Sequence, residues 1–156
     1  MTGRAQVQHE RQRLDATFQR ASGTQGDPEL LSDFAKYLCV LVSGFLEQAV
    51  IELLLEHVRT HSHSSVLRHV EQRLRRFTSA NRERIIQLLR SFDPEWGKDL
   101  ETYLVDEYKD AVDGVVALRH AVAHGRSVTI TMARVFEYYG RIKQVVEHIA
   151  GLCVPP

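Results

Sequence analysis

Tyr37-Leu38-Cys39-Val40-Leu41-Val42-Ser43-Gly44-Phe45-Leu46-Glu47 is the middle of a run, from Pro28 to about Val58, that is apolar on most sides. Leu30, Leu31, Phe34, Leu54 and Leu55 extend the same character to both ends. A helix this apolar has to be covered on several faces, so it predicts the central member of a helical bundle or part of a dimer seam. Ser43, Glu47, Gln48 and Glu52 interrupt the run and argue against a membrane span. The polar residues form two stripes. Gln48, Glu52 and Glu56 read as plain solvent surface, whereas Glu47, among Phe45, Leu46, Val50 and Ile51, reads as a partly buried carboxylate. Asp27-Pro28 marks the start, because Asp can cap free amides and Pro pre-sets the first turn.

Working outward, Arg4 to Arg20 reads as a weak helix anchored by Val7, Leu14 and Phe18, and Ser22 to Gly26 as a loop. Val66–Phe77 and Asn81–Phe92 read as two helices around a Thr78-Ser79 break. Asp93-Pro94 restarts a short helix near Trp96, and Thr131 caps a last one that carries Val135, Tyr139, Ile142, Val146 and Ile149. No stretch supports a sheet and no repeat is visible. The expected architecture is all-α, an up-and-down bundle of about five to seven helices forming one domain over residues 1–156. Within it, residues 1–26 are a peripheral helix and loop, and residues 27–150 the core bundle.

Twenty Lys and Arg balance twenty Asp and Glu, so bulk charge neither demands nor excludes a polyanionic partner. Local charge is uneven. Arg68, Arg73, Arg75, Arg76, Arg82, Arg84 and Arg90 face only Glu71 and Glu83, after which Asp93 to Asp113 is strongly acidic. Either the basic segment steers phosphates or the two segments neutralise each other. Cys39 and Cys153 fit neither a disulfide framework nor a zinc motif and read as reduced thiols in a cytoplasmic protein. The polar N-terminus lacks the apolar core of a signal peptide. His57, His61, His63 and His69 are too irregularly spaced to read as a metal site.

The chemistry concentrates in Leu118-Arg119-His120-Ala121-Val122-Ala123-His124-Gly125-Arg126, at the end of what reads as one helix from Leu104 to His124. At about 100° per residue, Val105, Tyr108, Ala111, Val112, Val115, Val116, Val122 and Ala123 share an apolar arc with Arg119 in its middle. Asp113, His120 and His124 lie on an adjacent polar flank, with the two histidines one turn apart. Gly125 stands where a left-handed residue would end the helix. A guanidinium on a core-facing arc keeps its charge, so it needs a carboxylate, backbone carbonyls or an anionic ligand. Glu47 is the leading carboxylate.

Arg-x4-His closing a helix of an all-helical chain resembles the signature of the HEPN superfamily, here Arg119, the polar His120 and His124. The likeness extends along the chain. Tyr37 to Glu47 looks like the central helix of the RiboL-PSP-type HEPN branch, and Arg76-Phe77, the Leu88 to Trp96 block and Arg119 to Arg126 follow in that branch's order. The resemblance implies a metal-independent endoribonuclease, without cofactor, in which the Arg-x4-His elements of two subunits face each other across a homodimer. In that reading Arg119, His124 and His120 are catalytic, Glu47 and Asp113 support them, and Arg126, Arg73 and Arg76 bind RNA. It also implies a toxin or defence role, with an antitoxin or another defence-system protein as partner and no membrane.

Plainer readings stand beside these. Arg119 can be a core arginine neutralised by Glu47, His120 an ordinary helix residue, and His124 a favourable charge at a helix C-terminus. The pair of histidines has the spacing of two metal ligands but lacks an obvious third. A non-catalytic module holding nucleotide, RNA or a protein on the same scaffold is the alternative function, and a purely structural dimerisation domain a third. A guanidinium fully locked to an internal acid, with both imidazoles turned outward and far from a second copy, would favour these.

Overall fold

The computed structural model describes residues 2–156. Seven helices follow in order: α1 (Gly3–Ala21), α2 (Pro28–His61), α3 (Ser64–Leu74), α4 (Arg82–Phe92), α5 (Pro94–Tyr103), α6 (Asp106–Ala123) and α7 (Met132–Cys153). Among the described residues there is no strand.

The apolar run becomes α2 and occupies the centre, packed against α1, α3, α6 and α7. Leu38, Leu46, Leu53 and Leu54 on it are fully buried, against Val112 and Val115 of α6 and Ile142 and Ile149 of α7 in the same core. Truncating one of these leucines to alanine would cost about 2–5 kcal/mol, because it removes transfer energy and leaves a cavity. By length and composition alone α2 could cross a membrane, but 67% of its apolar window is buried inside the bundle.

The first helix is peripheral in position yet firmly seated. Val7, Leu14, Phe18 and Ala21 are buried, and Phe18 stacks on Tyr139 of α7 with ring centroids 4.2 Å apart. Its amino end corrects the expectation for the second polar stripe of α2. Thr2 provides no side-chain cap. Instead Glu52 accepts the Gly3 amide at 3.1 Å and Glu56 accepts that of Arg4. Carboxylates from a neighbouring helix thus satisfy the free amides and oppose the positive end of the helix dipole. Glu52 and Glu56 are a latch, not plain surface.

Three further corrections concern helix ends. Asp27 makes no side-chain cap on α2, although Pro28 does occupy the first turn. The helix expected from Leu104 begins later: buried Leu104 closes α5 with ψ 64°, and α6 starts at Asp106. At the other end of α6 the apolar arc does not persist, since Val122 and Ala123 are exposed while Ala121 is buried. The last turn of α6 projects beyond the core. The expected caps Asp93 and Thr131 do form, accepting the amides of Glu95 at 2.9 Å and Arg134 at 3.1 Å.

Candidate functional site at the end of α6

Gly125 sets the geometry. Its φ of +67° lies in the left-handed region, the Gly125 amide donates to Val122 O at 3.1 Å and the Arg126 amide to Ala121 O at 2.9 Å. These two bonds are a Schellman closure, which glycine adopts without steric cost. The helix therefore stops at Ala123, with His124 as its C-cap, one turn above His120. Both imidazoles are exposed, their centroids 4.2 Å apart and their planes inclined by 56°.

Arg119 finds the carboxylate expected for it. Its Nη1 donates to Glu47 Oε2 at 2.9 Å, with the Glu47 side chain 11% exposed and that of Arg119 40%. The same oxygen accepts the Ser79 amide at 3.1 Å. The charge of Glu47 is thereby met, but the rest of the arginine fork is not consumed: among the described residues its other N–H groups make no hydrogen bond. Asp113 has a different task. It accepts the Arg82 amide at 2.9 Å, fastening the first turn of α4 to α6, while Asn81 caps the Arg84 amide at 2.9 Å.

The two charged segments neutralise each other only in part. Arg90 pairs with Glu101, and the Arg82 guanidinium donates to the carbonyls of Leu104 and Glu101. Arg84 lies over the Phe77 ring at 5.9 Å. At the end of α3 its C-cap residue Arg75 has a carboxylate, Glu71 at 3.5 Å. Arg73 and Arg76 are exposed without an acidic partner among the described residues, as is Arg126 beyond the end of α6.

The remaining histidines do not gather. His57 Nδ1 lies 3.0 Å from Cys153 O, its ring 4.3 Å from His61 and edge-on to Trp96 at 4.8 Å. Among the described residues no three His, Cys, Asp or Glu side chains are placed to hold a metal ion. Both cysteines are buried and unpaired, and burial pushes each thiol up to about 12, which makes them poor nucleophiles. A groove of about 740 Å³ runs between α1 and α2 and contains none of the site residues. The Arg119 end of α6 is open surface, a form that suits an extended ligand.

A buried helix carrying Glu47, paired with the arginine of an Arg-x4-His helix end, is the arrangement to set beside known families. The family model described as RiboL-PSP-HEPN matches residues 6–154. The chain belongs to that family. No curated protein and no solved structure matches it. The RiboL-PSP-HEPN match runs from within α1 to the end of α7 and so includes most of the first helix, the part of the sequence that carries the least diagnostic pattern. What sequence reasoning missed at this candidate site is Ser79, whose backbone amide, not its side chain, donates to Glu47. The Thr78-Ser79 break was the one signal available.

Proposed function

We propose that the protein is a metal-independent endoribonuclease of the HEPN type, with a site built from Arg119, His120 and His124. The observation that supports it best is the Arg119 guanidinium itself: tied to Glu47 through one nitrogen, still 40% exposed, and carried on the helix end that also presents two adjacent imidazoles. A permanently charged fork suits the non-bridging oxygens of a phosphodiester and the charge that grows on them in the transition state. An imidazole can take the proton of the ribose 2′-hydroxyl as that oxygen attacks phosphorus, and return a proton to the departing 5′-oxygen. The products are a 2′,3′-cyclic phosphate and a 5′-hydroxyl. His124 is the proposed proton carrier, and His120 orients it or the phosphate.

Arg119 and His124 diverge by about 140° around their helix. One chain therefore presents them poorly to one phosphate, and a homodimer joined along the α6 ends supplies the complement. The exposed Val122, about 60° from Arg119 around the helix, offers an apolar contact for such a seam. Arg73, Arg76 and Arg126 would hold the flanking phosphates. A toxin or defence role, kept in check by an antitoxin, is the biological setting this chemistry suits.

The test is incubation of the purified protein with structured and unstructured RNAs in EDTA. Cleavage by the wild type that is lost in Arg119→Ala and in His124→Ala supports the reading, and equal cleavage by all three contradicts it. One observation favours a second reading, a non-catalytic module that binds nucleotide, RNA or a protein: Glu47 already neutralises the guanidinium, and both imidazoles point outward. A folded dimer that binds RNA across a broad panel and cuts none of it would select that reading.

A further inference from the structure

The linker between α3 and α4 is held more tightly than a surface loop requires. Ser79 has φ +56°, a conformation that residues with a side chain adopt rarely and keep only where the surroundings over-determine it. The surroundings here are identifiable. The Asn81 amide turns back to Ser79 O at 2.7 Å, the Arg82 amide is held by Asp113 of α6, and the Ser79 amide by Glu47 of α2. The Glu47 oxygen that holds Ser79 is the one that holds Arg119. A buried carboxylate gripped by a backbone amide cannot swing, so it fixes Nη1 and turns the remaining donors of the guanidinium outward.

We propose that Ser79 and Glu47 are positioning residues for Arg119: the left-handed turn at Ser79 aims one backbone amide at Glu47, and Glu47 in turn sets the direction of the guanidinium presented to a phosphate. The proposal rests on the ribonuclease reading for its catalytic consequence but not for its geometry. The two can therefore fail separately.

The experiment is a double-mutant cycle with Ser79→Val and Glu47→Gln, with Ser79→Gly as the conservative partner. A β-branched residue is driven out of the left-handed region and takes the amide with it, whereas glycine accepts that region and keeps the amide. In cleavage assays each of Ser79→Val and Glu47→Gln should lower kcat on the order of tenfold with KM changed less than twofold, since the aim of the fork counts most in the transition state. Ser79→Gly should stay within twofold of wild type. Because both residues act along one path, the double variant should be no slower than the slower single one. Losses that multiply, or a Ser79→Val variant as active as wild type, would overturn the proposal. A second readout does not need activity: the Arg119 Nε–H signal in nitrogen-15 NMR, assigned by its disappearance in Arg119→Lys, should shift in Ser79→Val and stay in place in Ser79→Gly. If the wild type cuts no RNA, this signal alone decides. An unmoved signal in Ser79→Val refutes the coupling, and a moved one upholds the positioning while the nuclease reading falls.

Discussion

Two carboxylates at the edge of the core, Asp15 on α1 and Glu47 on α2, each hold a cation from a distant helix, and they differ in what is left over. Asp15 Oδ1 accepts the Tyr139 hydroxyl at 2.6 Å and Lys143 Nζ at 3.0 Å, and the same ammonium lies 4.4 Å from the centre of the Tyr139 ring. Burial opposes ionisation of Asp15, but the hydrogen bonds from Tyr139 and Lys143 and the charges of Lys143 and Arg11 outweigh it and hold the carboxyl below its ordinary 3.8. That cluster is closed: it fastens α1 to α7. At Glu47 one carboxylate oxygen takes both partners while the arginine keeps donors to spare, because a guanidinium has five donors and among the described residues only one is used. A cation with donors to spare beside two exposed imidazoles is equipped to meet an anion. A cation whose charge is met by an acid and whose side chain lies along a tyrosine ring is not.

The largest expected effect breaks the comparison on the side of function. Arg119→Ala and His124→Ala should each lower RNA cleavage about 10²–10⁴-fold. If each site takes its arginine from one subunit and its histidine from the other, a mixture of the two inactive variants, unfolded and refolded together, should regain a substantial part of the activity. No recovery in the mixed dimers would place both residues of a site on one chain. Asp15→Asn should leave cleavage unchanged.

Stability effects come next. Glu47→Ala strands a guanidinium and the Ser79 amide, and with Arg119 part-exposed to water the cost should be about 2 kcal/mol, read from the urea midpoint. The Asp15 cluster is worth less, about 1 kcal/mol for Asp15→Asn. Its signature is pH. Because the folded carboxyl is depressed, its contribution is complete above the unfolded value near 3.8 and is lost as pH falls through the lower folded value. The urea midpoints of wild type and Asp15→Asn should therefore differ at neutral pH and converge in acid, whereas a constant gap would deny the depressed carboxyl. The smallest effect sharpens the map of the RNA path. Arg73→Ala or Arg76→Ala should each weaken RNA binding modestly and reduce the slope of log affinity against log salt by about 0.7, the value for one contact to a single strand.

Most of the fold was legible because it is periodic. The apolar run of α2, the Asp93 and Thr131 caps and the glycine that ends α6 each announce themselves within a few residues. Arg119 was legible as a charge that needed a partner, and Glu47 as the acid most embedded in apolar sequence. What stayed hidden depends on the register between helices far apart in the chain. Glu52 and Glu56 look like surface until α1 lies antiparallel to α2 and brings its free amides to them. The Asp15 cluster needs α7 beside α1, and Val122 counts as core until the last turn of α6 is seen to overshoot it. Ser79 was hidden for another reason: it acts through its amide, and side-chain patterns do not report backbone direction.

The most direct measurement of the central claim is the chemistry of the cut ends. Mass spectrometry of a short RNA cleaved in EDTA should find a 2′,3′-cyclic phosphate on the upstream fragment and a 5′-hydroxyl on the downstream one, and neither when His124→Ala replaces the wild type. Ends of the opposite kind, a 3′-hydroxyl with a 5′-phosphate, or cyclic ends that persist in His124→Ala, would contradict the account.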